Sequence, residues 1–130
     1  MKGAVEAIEW LRHDHSLPII TSRPETIRER TAALVEKHFP PVFDGIHFLN
    51  HYRDDGTRSR ERTKGEVCKA LGVRVFVEDA LENAVSVADE GIPVLLFDVP
   101  WNQGELPAGI TRVFGWRDAL LKLAVILSPA

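Results

Sequence analysis

Apolar residues along the chain follow two spacings, and the change between them marks helices and strands. Ala4, Ile8 and Leu11 recur three or four positions apart, which places their side chains on one face of a helix. Short continuous apolar runs such as 73–77, rich in β-branched residues, are typical of buried strands. The pattern predicts helices at 3–12, 23–39, 64–71, 81–90 and 116–127, and strands at 19–20, 43–49, 73–77, 93–97 and 111–114.

The alternation of helices with strands is typical of a parallel sheet covered by helices. The chain has 130 residues, of which 45% are hydrophobic. A chain of this length buries about two-thirds of its unfolded surface in one core. We therefore expect the α/β class, with a Rossmann-like three-layer arrangement and a mostly parallel sheet. We also expect a single domain over 1–130.

Charge and composition exclude several classes of protein. A formal charge of −3 argues against a nucleic-acid-binding module, which usually carries a basic surplus. No apolar run approaches the roughly 18 residues that span a bilayer, and the first residues do not resemble a signal peptide. The one cysteine, Cys68, excludes an internal disulfide and fits a reducing compartment. We expect a cytoplasmic protein that binds neither nucleic acid nor membrane, with Cys68 as a small buried hydrophobe.

Paired hydroxyls end the first predicted strand. Thr21 and Ser22 follow its apolar residues, and Ser22 with Glu25 forms a capping-box pattern, so a helix should begin at Arg23. Open α/β sheets bind ligands at the carboxyl ends of their strands, and free amides at a helix start suit an anion. Phosphate would fit at Thr21, Ser22 and Arg23. The alternative is that Ser22 is only an N-cap and Arg23 only a solvated charge.

Paired carboxylates end the strand predicted at 73–77. Glu78 and Asp79 follow a buried apolar run, where two adjacent negative charges are costly unless a cation or hydrogen-bond donors compensate them. Such oxygen ligands suit Mg²⁺, which typically takes one or two carboxylates and keeps several waters. The alternative is an acidic start for the helix that opens near Ala80, which would favour the helix dipole without any metal.

Lys64 begins a predicted helix and follows a polar loop. The stretch 51–64 holds five basic and three acidic residues, a local surplus of two positive charges. A mildly positive loop attracts phosphate, although such a run is more often a solvated face. Hydroxyls, a lysine and metal-binding acids are the groups that phosphoryl transfer requires around its nucleophile.

In order and local context these segments resemble the second, third and fourth motifs of the haloacid dehalogenase superfamily of phosphatases. The most similar branch is that of the 5′(3′)-deoxyribonucleotidases and their bacterial relatives, which the segment Trp101-Asn102-Gln103 also resembles. The alternative for that segment is an aromatic lid packed over the sheet edge. The resemblance implies a hydrolase of phosphate monoesters, such as nucleoside monophosphates, with Mg²⁺ as its cofactor.

The same resemblance implies a role for each candidate residue. Asp79 would bind Mg²⁺ directly. Glu78 would either support the metal ligands without touching the metal or bind it through water. Lys64 would neutralise the transferring phosphoryl group. Thr21 and Ser22 would bind the phosphate.

The first motif of that superfamily, an Asp-x-Asp whose first aspartate attacks phosphorus, has no counterpart in the 130 residues and would precede Met1. The resemblance therefore implies a fold incomplete at its N-terminus, without a cap domain, and little hydrolysis by this chain. A partner polypeptide would complete the site, or the chain is a non-catalytic module that binds phosphate, nucleotide or protein. The missing strand would separate those ending at Thr21 and Glu78, so we expect these two to pair directly or a second copy to cover the gap, as in a homodimer.

Overall fold

The computed structural model describes residues 3–21, 23, 27–39, 43–49 and 63–128. The chain forms two compact units, one spanning Gly3–Arg62 and the other Thr63–Ala130. A single domain over 1–130, direct pairing of the strands that end at Thr21 and Glu78, and a homodimer all stay predictions. In the described part of the chain, no helix is long and apolar enough to cross a membrane.

The first unit contains two helices and a two-stranded parallel sheet. Helix α1 confirms the prediction at 3–12, because the residues it buries recur at helical spacing. In the sheet, Ile19 lies opposite Ile46 and Thr21 opposite Phe48. The elements are α1 (Ala4–Leu11), β1 (Ile19–Thr21), α2 (Arg28–His38) and β2 (Ile46–Phe48).

Two predictions in this unit are wrong in their boundaries. Helix α2 begins at Arg28 rather than at Arg23, because Ile27, with φ −107° and ψ 25°, lies outside helical geometry and is the N-cap. Strand β2 begins at Ile46 rather than at 43, because Gly45 has a φ of 120° that does not fit a strand. Ser22 and Glu25, the predicted capping pair, lie outside the described residues.

The second unit is built around a three-stranded sheet in the order β3-β4-β5, with parallel pairing throughout. All four residues of the central strand β4 are buried. Because side chains alternate between the faces of a strand, this burial means that both faces of the sheet are covered. The elements are α3 (Lys64–Leu71), β3 (Phe76–Glu78), α4 (Leu81–Ala88), β4 (Val94–Phe97), a 3-10 turn (Pro100–Asn102), β5 (Ile110–Val113) and α5 (Trp116–Ile126).

The predicted fold class is confirmed: helices alternate with strands in a three-layer α/β type, and every strand pair in the described ranges is parallel. Strand β3 starts later than predicted. Gly72 adopts a left-handed conformation, and the amide of Val73 bonds back to the Cys68 carbonyl, so Val73 still belongs to the end of α3. The strand also ends one residue later than predicted, at Glu78, so Glu78 and Asp79 lie at the carboxyl edge of the sheet.

Candidate active site

The ammonium group of Lys64 and the carboxylate of Glu78 form a buried ion pair in the second unit. Lys64 Nζ lies 2.9 Å from Glu78 Oε1, and each side chain is only 9% exposed. Lys64 is the first residue of α3 and Glu78 the last of β3, so the pair joins a helix start to a strand end. The structure therefore brings together two residues that the sequence separates by 14 positions.

Local sequence and close packing fix the start of α3. Thr63 and Glu66 form a capping box, in which the Thr63 hydroxyl accepts from the Glu66 amide and Glu66 accepts from the Thr63 amide. The Gly65 amide donates to Ser86 Oγ of α4 at 3.0 Å. A Cβ atom on Gly65 would lie 2.2 Å from the Ser86 carbonyl oxygen. Glycine at 65 therefore allows the two helices to meet and holds Lys64 over the end of β3.

Glu78 uses its second carboxylate oxygen to accept two backbone hydrogen bonds. Oε2 accepts from the amide of Asp79 at 3.0 Å and from that of Ala80 at 3.4 Å. Glu78 thus satisfies amides at the entry to α4, as the helix-start interpretation predicted. Both carboxylate oxygens of Glu78 therefore have partners in this arrangement.

Asp79 is exposed, and within the described part of the chain it forms no ion pair. Partial burial of its carboxyl group raises its pKa, the charge of Glu78 and a hydrogen bond with Glu78 raise it further, and Lys64 opposes the change. A carboxylate with excess negative charge around it suits a divalent cation. One such ligand with water fits Mg²⁺, although no cluster of three or more potential metal ligands occurs among the described residues.

Replacing Asp79 by Asn should stabilise the folded protein at about pH 7. A carboxyl whose pKa is raised on folding favours folding when protonated, and this contribution is lost as the pH rises through the folded pKa. Asn carries no charge, so its advantage should shrink as the pH falls toward the ordinary carboxyl value of 3.8. Thermal unfolding across this pH range measures the difference in stability between Asp79→Asn and wild type. Glu105→Gln, at an exposed position, is the control that removes the same charge. If Asp79→Asn were less stable than wild type at neutral pH, the raised pKa of Asp79 in the folded protein would be contradicted.

Trp101 lies beside Asp79. Its Nε1 donates to the Asp79 carbonyl at 3.1 Å, and the residue is 68% exposed. This exposure rules out the packed aromatic lid that was one interpretation of the segment. An exposed indole that is bonded to the backbone of Asp79 offers a planar surface to a ligand.

Asn102 and Arg112 complete the hydrogen bonding around Asp79. The Asn102 side chain donates to the Asp79 carbonyl at 2.8 Å, and Arg112 donates to Asn102 Oδ1, also at 2.8 Å. Sequence reasoning singled out Asn102 only as part of its segment and missed Arg112 altogether. An arginine in a predicted strand carries no signal of its partner, since the contact depends on the order of strands in the sheet.

Thr21 and Arg23 belong to the first unit. Thr21 Oγ1 accepts from the Arg23 amide at 3.3 Å, and the Arg23 guanidinium donates to Thr31 Oγ1 of α2 at 3.5 Å. The two residues are therefore close to each other at the end of β1. Their convergence with Lys64 stays a prediction, and Ser22 lies outside the described residues.

Cys68 is confirmed as a small buried residue. Its side chain is inaccessible to solvent, and burial raises the pKa of its thiol to about 11, with Lys64 opposing and Glu78 reinforcing the change. The thiol is protonated at neutral pH and is no nucleophile.

Curated proteins that are similar to the chain carry nucleotidase names. A "Putative nucleotidase" of Halalkalibacterium halodurans is 29% identical over 119 residues, covering 90% of this chain and 55% of the relative. A "Putative nucleotidase" of Bacillus subtilis is 30% identical over 118 residues, with the same coverage. A nucleotidase of Clostridium acetobutylicum is 25% identical over 115 residues, covering 88% of this chain and 54% of the relative.

The chain spans about half the length of the curated relatives it matches. No family model matches the chain. No solved structure matches it. These similarities support a nucleotidase-like relationship.

Proposed function

We propose that this chain carries the phosphate- and metal-binding part of a nucleotidase-type phosphomonoesterase of the haloacid dehalogenase superfamily. The observation that supports this most strongly is the buried ion pair of Lys64 and Glu78 directly beside Asp79. Burying a lysine and a carboxylate costs several kcal/mol of desolvation for each ion, about as much as their attraction returns. Such a pair at the carboxyl edge of a parallel sheet is better explained by a charged ligand than by stability.

In the proposed site each group has a distinct task. Lys64 neutralises charge on the phosphoryl group, and Glu78 holds the lysine in place. Asp79 holds Mg²⁺, which supplies further neutralisation of the phosphate oxygens when it is bound. By the resemblance to the phosphatase family alone, Thr21, Ser22 and Arg23 of the first unit are proposed as phosphate-binding residues.

The proposed substrates are nucleoside monophosphates. Trp101 supports this choice, because its exposed ring is tethered to the backbone of Asp79 and is available for stacking against a base. Stacking of a base on an aromatic side chain contributes about 1–3 kcal/mol. Comparing a nucleoside monophosphate with ribose 5-phosphate, which lacks the base, measures this contribution.

Hydrolysis by the 130-residue chain alone should be close to the uncatalysed rate. Lys64 and Asp79 stabilise charge but do not attack phosphorus, and the sequence contains no Asp-x-Asp pair to form an aspartyl-phosphate. Release of phosphate from nucleoside monophosphates with Mg²⁺, measured with Asp79→Asn as the control, tests this expectation. Turnover at ordinary enzymatic rates that disappears in Asp79→Asn would show that another residue of this chain is the nucleophile.

The second candidate is a non-catalytic module that binds phosphate or nucleotide. The buried ion pair of Lys64 and Glu78 supports it as well, because neutralising a phosphate serves binding without hydrolysis. The two candidates differ once the chain is supplied with a polypeptide that contains Asp-x-Asp. Recovery of hydrolysis would favour the enzyme, whereas binding without hydrolysis would favour the module.

A further inference from the structure

The side chain of Asn102 connects the loop after β3 with the end of β4. It is 1% exposed, and its amide nitrogen donates to two carbonyls, that of Asp79 at 2.8 Å and that of Phe97 at 2.7 Å. Its oxygen accepts from the Val99 amide at 3.3 Å. A buried amide with all these groups paired is costly to move, because any displacement leaves a polar group without a partner.

Arg112 on β5 fixes the orientation of this amide. Its guanidinium donates to Asn102 Oδ1 at 2.8 Å and to the Asn102 backbone carbonyl at 2.9 Å. It also forms an ion pair with Asp98 at 3.0 Å. With the oxygen held by a cation, the amide nitrogen must face the two carbonyls, so the Asn102 side chain has one favourable orientation.

We propose that Asn102, oriented by Arg112, is a positioning residue for the cation-binding carboxylate of Asp79. This inference rests on the proposed function. The side chains of Asn102 and Trp101, which belong to one turn, both donate hydrogen bonds to the backbone carbonyl of Asp79. These two bonds fix the backbone of Asp79. Fixing the backbone restricts the positions that the carboxylate can reach and so reduces the ordering that cation binding requires.

A purely structural Asn102 would give a different result. Its removal would then lower thermal stability and leave cation affinity unchanged in the protein that remains folded. The two roles therefore separate when Mg²⁺ affinity is measured well below the unfolding temperature.

The test is isothermal titration of the full chain with Mg²⁺ alone, at millimolar concentrations. Asn102→Ala should weaken Mg²⁺ binding by about 10- to 100-fold, the range typical of residues that orient a metal ligand. Arg112→Gln should also weaken Mg²⁺ binding, because it removes the hydrogen bond that orients the Asn102 amide. If Asn102→Ala does not fold, the Mg²⁺ affinity of Arg112→Gln tests the positioning role.

Two control variants keep the result specific. Gln103→Ala removes a neighbouring amide that bonds to Asp98 and Val99 but not to Asp79, and should bind Mg²⁺ as wild type does. Leu123→Ala lowers stability from the buried face of α5 and should also leave the affinity unchanged. In a Trp10→Phe/Trp116→Phe background, which leaves Trp101 as the one tryptophan of the sequence, the fluorescence should change on adding Mg²⁺ and should change less when Asn102→Ala is also present.

Each outcome decides a different question. Wild-type binding together with equal binding by the folded Asn102 or Arg112 variants overturns the positioning role and leaves the proposed function standing. Absence of Mg²⁺ binding by the wild-type chain overturns the Mg²⁺ site of the proposed function and this inference with it. Loss of affinity in Leu123→Ala equal to that in Asn102→Ala would reduce Asn102 to a structural residue.

Discussion

Replacing Lys64 by Met should destabilise the folded protein by about 3–5 kcal/mol. The substitution keeps an apolar stem of similar length and removes the charge that pairs with Glu78 at 2.9 Å. Glu78 would remain buried, with only the amides of Asp79 and Ala80 as partners. A buried carboxylate without its cation is among the most costly changes that one substitution makes.

A control of the same chemical change lies on the same helix. Lys69 pairs with Glu90 at 3.5 Å but is 72% exposed, so Lys69→Met should change stability by about 0.5 kcal/mol or less. The double variant Lys64→Met/Glu78→Gln should lose less than the sum of its single changes, because Gln brings no unpaired charge. Urea unfolding of wild type, Lys64→Met, Glu78→Gln, the double variant and Lys69→Met measures these changes. Equal losses for the two lysine variants would contradict the buried ion pair.

Replacing Gly65 by Ala should also destabilise the protein, by about 3 kcal/mol or more. The added Cβ would meet the Ser86 carbonyl oxygen at 2.2 Å, far inside normal contact, so α3 and α4 would have to separate. The direction is informative, because helix propensity alone predicts the opposite: Ala is favoured over Gly by about 1 kcal/mol inside a helix.

A Cβ atom added at Gly65 would clash more closely with the main chain of Ser86 than with its side chain. A second variant tests this distinction. Gly65→Ala/Ser86→Ala removes the Ser86 hydroxyl but not its carbonyl, so it should not recover the lost stability. Thermal unfolding of the single and double variants measures this. A Gly65→Ala protein as stable as wild type would mean that the two helices do not approach each other at Gly65.

The end of a helix could be predicted where the residues that determine it are neighbours in the sequence. The range of α3 was predicted as observed, because Gly72, which closes the helix, stands next to it in the chain. The start predicted for α2 was wrong, because a capping pattern at Ser22 suggested a helix at Arg23 while the N-cap of the helix is Ile27. Nothing in that segment alone distinguishes the two outcomes.

The candidate site was predictable only in part, for a related reason. Glu78 and Asp79 were identified because two acids after an apolar run require compensation. The resemblance to a phosphatase family, rather than any spacing, linked them with Lys64. The hydrogen bonds from Asn102 and Arg112 depend on the order β3-β4-β5, which a sequence read element by element does not contain.

We propose that Lys64, held in place by Glu78, and Asp79 bind a phosphate monoester together with Mg²⁺. Isothermal titration of the wild-type chain with a nucleoside monophosphate, with and without Mg²⁺, tests it most directly. We predict binding at millimolar concentrations that Mg²⁺ strengthens, that Asp79→Asn weakens by about tenfold or more, and that Glu105→Gln leaves unchanged. Absence of binding by the wild-type chain, or equal Mg²⁺-dependent binding by Asp79→Asn, would contradict the claim.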